Sequence, residues 1–524
     1  MLLFFFFLAL ALRLRQRDFE FVVEPDFYWP LVETWRDFFA TFDPQHLPRP
    51  TPHVYLDGQF ILYGIVDGLL RIAATGLSVI RGYFPDKAAY ALGSAMLTNI
   101  ACYAAACTIF YAAMFRLTGG ILISALMAAG LFFAPQMLDI NIGRVDFLIM
   151  LPLMVIFFCS CVIAVGAERS RHALLLGVAT GFAAVIKVNG MFFGIFPAMA
   201  VIATFRPDRA SVRRLTRFTA LSLVAFALTY LVLMGRFLYH LTIPEIAGFY
   251  AAAIEEVRIW APLMGGPRWY YNIELMSGHG VWFIVLYLAS AVAVLLVAIR
   301  YRSRPAIFLV LLFVVLSIAG AVAPKYERGG YHLLPVIFAM IGFAAAALRN
   351  PSIPAPFRVS GILIGGVIFA VSLSGSFERY QGVVAQRRSE STGIQLLKRE
   401  PRDWLKSHVA PGTTICIQTA SQWSLPPMDG FRLINGPLAL PYLDAAALSK
   451  TYPSGLDEVR KDCPLIVISD YHRRIYGALL EQASPETAAK WKSFFAALDE
   501  RYPPVVFSSP AAIYTQQVII NDLR

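Results

Sequence analysis

The feature that most constrains this chain is the recurrence of apolar stretches long enough to cross a lipid bilayer. A helix needs about 20 largely apolar residues to span a hydrocarbon core of roughly 30 Å, and such stretches recur from the N-terminus to about residue 376. Hydrophobic residues make up 58% of the 524 residues and charged residues 15%, with a mean hydropathy of +0.61. Soluble globular enzymes are far less apolar. The chain is therefore expected to be a polytopic α-helical membrane protein.

The predicted spans number about eleven and alternate with loops of different basic content. They lie at roughly residues 1–12, 88–115, 120–138, 145–166, 172–187, 189–205, 215–235, 279–299, 305–323, 331–348 and 359–376. Arginines recur in every second connection, at 169–171, 206–217, 300–304 and 349–358. Under the positive-inside rule these connections are cytoplasmic. The other loops and the C-terminus are then expected outside the cytoplasm of an inner or plasma membrane.

One apolar segment, residues 59–80, is expected not to cross the membrane. It contains Asp67 and Arg71, and counting it as a span would reverse the orientation of everything upstream. We expect an interfacial or re-entrant helix on the outer face, where both charges reach water. The segment then belongs to a long first outer loop, residues 13–87.

Residues 377–524 differ in kind from the transmembrane region, residues 1–376. No window there is apolar enough to span a bilayer, and charged residues and prolines return. Helical patterns at 391–408, 457–461 and 485–501 alternate with strand patterns at 413–419, 464–469 and 513–520. The sequence predicts a soluble, extracytoplasmic α/β domain. Cys416 and Cys463, on or beside two of its strands, are either disulfide-bonded or simply buried.

Ionisable residues collect on the predicted outer side of the membrane region. They are Glu24, Asp26, Tyr55 and Asp57 in the first outer loop, Arg144 and Asp146 at the fourth span, Lys187 between two apolar runs, and Lys325, Arg328 and His332 near the tenth. A loop carboxylate is usually only solvated, and Asp146 would also serve as a helix cap. Lys187 differs because an ammonium within roughly 30 apolar residues needs a partner or a water-filled cavity.

These residue types together suit one reaction. A carboxylate removes the proton of an acceptor hydroxyl while cations stabilise a phosphate that leaves a sugar carbon. Arginine binds phosphate through two parallel hydrogen bonds and lysine acts as a point charge. Arg144 or Arg328 with Lys187 would therefore form a reasonable phosphate clamp.

Several short motifs give the chain a family resemblance. They are Glu24-Pro25-Asp26 after the first predicted helix, Asp43-Pro44 and Tyr55 in the same loop, and then Gly143-Arg144-Val145-Asp146, Gly181-Phe182-Ala183-Ala184-Val185-Ile186-Lys187 and Tyr331-His332-Leu333-Leu334-Pro335 at later helix ends. In these motifs and their order the sequence resembles the GT-C-type glycosyltransferases that use polyprenyl-phosphate sugars, the superfamily of the protein O-mannosyltransferases and the aminoarabinose transferase of lipid A. It departs from the family in two places. The acidic motif lacks the common Asp-Glu pair, and Leu56-Asp57 stands where two prolines usually follow Tyr55.

The resemblance implies transfer of a sugar, with inversion, from a polyprenyl-phosphate donor to an acceptor on the extracytoplasmic face. The acceptor class, lipid, glycan or protein, stays open. The resemblance also implies Asp26 as the catalytic base, with Glu24 as the second candidate. The other ionisable residues named above are the candidate substrate-binding residues. No cofactor is established, and a divalent metal on Glu24, Asp26 and Asp57 is left open.

Two other functions compete with transfer. A transporter or flippase of lipid-linked saccharides places its ionisable residues near mid-membrane and usually has repeated halves, whereas here they collect at one face. A polymerase or ligase predicts a large outer loop late in the membrane region, whereas the longest loops here are 13–87 and 236–278. The formal net charge of +11 sits mostly in short loops rather than in one basic stripe, so no nucleic-acid partner is expected.

Overall fold

The computed structural model describes residues 2–14, 29–47, 58–78, 80, 87–139, 145–260, 273, 276–322, 332–349, 354–417, 431–435, 456–470, 473, 485–509 and 517–524. The chain forms two compact units. The first comprises residues 1–17, 30–82 and 93–383, and the second comprises residues 18–29, 83–92 and 384–524.

Helices dominate the chain up to residue 408. They are α1 (Leu2–Leu14), α2 (Trp29–Thr41), α3 (Gly58–Gly76), α4 (Lys87–Thr118), α5 (Ile121–Phe132), α6 (Pro135–Asp139), α7 (Val145–Ala164), α8 (Ser170–Ile186), α9 (Ile195–Thr204), α10 (Arg209–Leu233), α11 (Gly235–His240), α12 (Ile243–Trp260), α13 (Val281–Tyr301), α14 (Arg304–Val322), α15 (Leu334–Ala347) and α16 (Ala355–His408). The 3₁₀ helices Pro44–His46 and Val188–Gly194 precede α3 and α9.

Among the described residues, five helices are long and apolar enough to cross a membrane. They are Gly93–Thr118, Phe147–Ala164, Arg209–Leu233, Val281–Tyr301 and Arg358–Ala385. Six shorter apolar helices coincide with the other predicted spans. The mostly helical class with apolar spans is confirmed, whereas the number of crossings stays a prediction. So does the interfacial placement of residues 59–80, where α3 lies.

Helices α8 and α10 run parallel and pack unusually close together. A Cβ placed on Gly177 would lie 2.2 Å from the carbonyl oxygen of Ser222, and one on Gly181 would lie 3.0 Å from Cβ of Thr229. Glycines four residues apart share one helix face and let two helix backbones approach. The contacts advance in the same direction along both helices, from Ser222 to Thr229 as from Gly177 to Gly181, so α8 and α10 are parallel.

The second unit contains a five-stranded sheet and two further helices. The strands are β1 (Thr414–Ile417), β2 (Arg432–Asn435), β3 (Leu465–Ser469), β4 (Val505–Ser508) and β5 (Gln517–Asp522), and the helices are α17 (Leu456–Asp462) and α18 (Pro485–Arg501). The strand order is β2-β1-β3-β5-β4. β1 pairs in parallel with β2 and β3, and β5 pairs antiparallel with β3 and β4.

Helices cover both faces of this sheet. Ile466 of β3 shares a core with Leu498 of α18, and its neighbour Val467 shares another core with Leu405 of α16. Successive strand residues point to opposite faces, so a strand covered on both sides reads as a continuous apolar run. The apolar run of β3 was therefore predicted from the sequence. The strands β2 and β4, which lie at the two edges of the sheet, were not.

The end of the membrane region differs from the sequence prediction. Helix α16 is continuous through residues 377–390, where the pattern indicated a break between the last span and a separate helix. The boundary between the two units follows Val383, within this helix.

Cys416 and Cys463 form a disulfide with a Cα–Cα distance of 5.3 Å. Both residues are buried in the core shared with α17 and α18. The sequence left bonding and simple burial as alternatives, and the structure has the bonded form.

Candidate active site

The arginine-rich loops of the helical unit meet at one end. A Cβ placed on Gly120 would lie 2.9 Å from Nη1 of Arg349, and one on Gly166 would lie 3.8 Å from Nη1 of Arg304. Loops far apart in the chain are therefore neighbours in space, as the alternation of basic loops predicts. We call this the arginine end of the unit.

Helix α8 leads from the arginine end to the opposite end, where Lys187 lies. Its 17 residues from Ser170 to Ile186 correspond to about 25 Å of helix. Lys187 caps the helix: its N–H donates to the carbonyl of Ala183 at 3.1 Å, and its own carbonyl accepts from Gly190 at 2.7 Å. The carbonyls at a helix C-terminus carry partial negative charge, which stabilises a nearby ammonium. We call this the Lys187 end.

Two glycines make close backbone contacts at the Lys187 end. A Cβ placed on Gly190 would lie 2.1 Å from the carbonyl oxygen of Ala183, and one on Gly58 would lie 3.1 Å from the backbone nitrogen of Ile186. Gly58 is the first residue of α3 and follows Asp57, while Lys187 follows Ile186. The contact therefore brings the start of α3 to the chain segment that precedes Lys187.

A buried arginine that the sequence analysis did not name lies at the same end. Arg236 of α11 is 4% exposed and lies over the ring of Phe237, 5.2 Å from its centroid. Phe237 shares an apolar cluster with Val185 and Phe249. Val185 lies two residues before Lys187 and Arg236 directly precedes Phe237, so the cluster joins the two chain segments that carry these cations. The sequence feature that could have identified Arg236 is its position directly after the apolar run 215–235.

Burial changes the electrostatics of Arg236. Desolvation lowers the pKa of its guanidinium to about 9, because a low-dielectric surrounding disfavours the charged form. The same surrounding strengthens attraction to an anion that binds there. An anion bound beside Arg236 would stabilise its charged form and offset part of this desolvation cost.

Two histidines also lie at the Lys187 end. The ring of His279 stacks on Phe283 with centroids 4.4 Å apart and contacts Phe338 edge-on at 5.9 Å. Phe338 belongs to α15, which begins two residues after His332. His332 was predicted as a site residue, whereas His279 was not, because an apolar span was expected to begin at that residue.

The predicted first outer loop is joined to this end through His240. Its Nε2 lies 2.9 Å from the carbonyl oxygen of Leu47, so α11, which carries Arg236, contacts the segment after the Pro44–His46 turn. Residues of the first loop and of the loop after α10 therefore meet where Lys187 and Arg236 lie.

Helices α2 and α3 of the first outer loop are joined by buried ion pairs. Asp67 is fully buried and accepts hydrogen bonds from Nε of Arg71 at 2.7 Å and Nη1 of Arg36 at 3.4 Å. The expectation that both charges of this segment reach water is wrong for Asp67. Its partners come from α2, which approaches α3 at Gly64, where an added Cβ would lie 2.7 Å from that of Trp35.

Most predicted site residues lie outside the described part of the chain. They are the candidate bases Glu24 and Asp26, then Tyr55, Asp57, Arg144, Lys325 and Arg328. Asp146 is the second residue of α7, but its side chain also lies outside the description. Lys187 and His332 are the predicted residues with described side chains, and both lie at the Lys187 end.

The candidate metal ligands Glu24, Asp26 and Asp57 are among the residues outside the description. Within the described ranges, no group of three or more His, Cys, Asp or Glu side chains is arranged to hold a metal ion. The described chemistry at the Lys187 end is cationic, which suits a phosphate.

Residues 72–324 match the sequence model of glycosyltransferase family 87. This region contains Lys187, Arg236 and His279. No curated protein matches the chain by sequence. The crystal structure of ArnT from Cupriavidus metallidurans bound to undecaprenyl phosphate is similar in fold, with a TM-score of 0.59 at 13% identity over 99% of this chain and 97% of that chain.

Part of the chain thus matches a glycosyltransferase family, and nearly the whole chain shares its fold with ArnT. The Archaeoglobus fulgidus oligosaccharyltransferase in the apo form has a TM-score of 0.55 at 12% identity, over 98% of this chain and 74% of that chain. AglB from the same organism, in complex with an inhibitory peptide and a dolichol-phosphate, gives the same values. At these identities the structures share the fold with this chain. The donor and acceptor of this chain are therefore inferred from its own residues.

Proposed function

We propose that this glycosyltransferase moves a sugar from a polyprenyl-phosphate donor to a lipid, glycan or protein acceptor at the extracytoplasmic face, with inversion at the sugar carbon. One observation carries the proposal: a single apolar cluster joins the chain segments that carry Lys187 and buried Arg236, at the end opposite the arginine loops. A lipid phosphate presents its charge at the membrane surface and needs cations there. ArnT and AglB, which share the fold, are bound to undecaprenyl phosphate and dolichol-phosphate.

The proposed reaction assigns one role to each charged group. The Asp26 carboxylate, with Glu24 as the alternative, accepts the proton of the acceptor hydroxyl. The hydroxyl oxygen attacks the sugar carbon while the bond from that carbon to the phosphate oxygen breaks. The electron pair remains on the phosphate, which departs as polyprenyl phosphate. Lys187 and Arg236 stabilise the charge that develops on it.

The remaining predicted residues complete the substrate site in this proposal. Arg144 or Arg328 adds a bidentate contact to the phosphate, and the others orient the sugar and the acceptor: Tyr55, Asp57, Asp146, Lys325 and His332. The C-terminal α/β domain is extracytoplasmic in the same proposal. Its buried disulfide supports this location, since disulfides persist in oxidising compartments.

The test is donor-phosphate binding by the purified full-length protein. Lys187→Ala and Arg236→Gln should each weaken binding of undecaprenyl phosphate about tenfold or more, since a charge-assisted hydrogen bond is typically worth about 1.5–3 kcal/mol. Transfer should fall as well, because the contact exists in both the ground state and the transition state.

Arg300→Gln removes the same charge from a helix that ends in an arginine-rich loop and is the matched control, with affinity expected within twofold of wild type. Arg236→Lys distinguishes lost charge from lost packing, because it keeps the cation and should recover part of the affinity. If both primary variants fold with wild-type stability and bind undecaprenyl phosphate as wild type does, the phosphate assignment fails.

A further inference from the structure

A separate charged cavity lies at the arginine end of the helical unit. The first turns of α8 and α10 enclose about 530 Å³ there. The lining includes Arg169, Arg213, Arg214 and Arg217, together with Glu168 and the ring of Phe218. Arg217 lies four positions after Arg213 and three after Arg214, so the three side chains lie on one face of α10. The cavity is therefore cationic, with four bases against one acid.

Glu168 holds one of these arginines in place. Its side chain is 4% exposed, and its Oε1 lies 2.9 Å from Nε of Arg214. Arg213 and Arg217, on the same face, are exposed at the cavity. An oriented guanidinium flanked by two more is an arrangement that binds a phosphate through charge-assisted, paired hydrogen bonds. A loop that only obeyed the positive-inside rule would need neither a cavity nor a buried carboxylate.

An apolar cavity follows farther along the same two helices. It measures about 410 Å³ and is lined by Val178 and Phe182 of α8 and by Leu228, Thr229, Val232 and Leu233 of α10. Val178 is 46% exposed and Leu228 is 60% exposed, so the groove opens outward, toward lipid in a membrane. The helices are in close contact at Gly177, between the two cavities, so a chain that joins the cavities runs along the outer surface of the pair there. Such a groove accepts an acyl chain.

The separation of the two cavities matches one leaflet of a bilayer. Leu228 follows Arg217 by eleven positions along α10, which is about 17 Å of helix at 1.5 Å per residue. Half of a hydrocarbon core of roughly 30 Å is about 15 Å. A phosphate at the arginines would therefore have its acyl chain ending beside Leu228, near the middle of the membrane.

We propose that this pair of cavities is a binding site for an acidic phospholipid of the leaflet at the arginine end. The phosphate contacts Arg213, Arg214 and Arg217, and one acyl chain lies in the groove between α8 and α10. The site is distinct from the Lys187 end and does not depend on which sugar is transferred. Because α8 runs from one site to the other, a bound lipid also stabilises the helix that positions Lys187.

Native mass spectrometry of the full-length protein, titrated with phosphatidylglycerol, tests the proposal. The wild-type protein should bind one molecule of phosphatidylglycerol, with higher affinity than it binds phosphatidylcholine. Arg213→Gln with Arg217→Gln should weaken phosphatidylglycerol binding roughly thirty-fold, the effect of two arginines near a membrane surface. Arg300→Gln with Arg358→Gln removes equal charge from helices that end or begin at other arginine-rich loops and should leave the affinity within about threefold.

A second variant separates the acyl groove from the phosphate contact. Val178→Trp fills an exposed groove position, so it should weaken phosphatidylglycerol without destabilising the protein. Titration with inorganic phosphate distinguishes the two sources of a phosphate group. Binding of inorganic phosphate as tight as that of the lipid, with no effect of Val178→Trp, would overturn the lipid site. Equal losses in the two double variants would overturn it as well.

Discussion

Substituting Gly177 with alanine should destabilise the helical unit, because the added methyl group has no room. Its Cβ would lie 2.2 Å from the carbonyl oxygen of Ser222 and 2.6 Å from Cβ of Ala225. Ordinary carbon contacts are about 3.5–4.0 Å, so α8 and α10 must separate by roughly 1 Å or more. Overpacking of this kind costs about 1–3 kcal/mol. The contact at Gly181, one turn along, would be loosened as well.

Gly366 of α16 provides the matched control. It is also a helical glycine in an apolar segment, but an added Cβ would meet nothing within 4 Å. Alanine is favoured over glycine in helices by about 0.5–1 kcal/mol, so Gly366→Ala should unfold at the wild-type temperature or above it. Thermal unfolding of both variants at one scan rate in one detergent gives the comparison. An unchanged midpoint for Gly177→Ala, or an equal drop for Gly366→Ala, would refute the close packing.

Two further predictions concern the disulfide and the buried ion pairs. Replacing Cys416 and Cys463 by serine opens a loop of 47 residues and should lower the stability of the C-terminal domain by about 4 kcal/mol, measured as faster proteolysis of the full chain. Alkylation in intact cells should find both sulfurs oxidised, and free thiols would place the domain in the cytoplasm. Asp67→Asn should cost about 1–3 kcal/mol because it weakens two charge-assisted hydrogen bonds at a buried position, although Arg36 keeps Asp37 and Glu33 as partners, measured by thermal unfolding. Asp403→Asn, which breaks an exposed pair of the same spacing with Arg399, should cost under about 0.5 kcal/mol, and equal losses would contradict the buried network.

The sequence predicted those parts of the molecule that depend on local pattern. Apolar length located the helices, and the basic loops of Arg304 and Arg349 lie near Gly166 and Gly120 in other loops of the same unit, while the sidedness stays a prediction. The ammonium of Lys187 was recognised because hydrocarbon makes an isolated charge costly. The ordered motifs indicated the resemblance to the GT-C-type glycosyltransferases, and residues 72–324 match a glycosyltransferase family.

Features that depend on tertiary contacts were missed or misjudged. Arg236 looked like an ordinary charge at the end of a span, because its burial arises from packing of α11 and α12 against Val185. Asp67 was assigned to water because its partner Arg36 lies 31 residues away on another helix. Strands β2 and β4 are too short to show a period, and they are stabilised by neighbours in the sheet.

The most direct test of the account is the reaction itself. Purified protein is added to membranes of a deletion strain, which supply donor and acceptor, and mass spectrometry follows the glycosylated product and the release of polyprenyl phosphate. Wild type should form both in equal amounts, and Asp26→Asn should lower the rate about 10² to 10⁴-fold while binding undecaprenyl phosphate as wild type does. Wild-type transfer by both Asp26→Asn and Glu24→Gln, or movement of an intact donor with no transfer, would contradict the account.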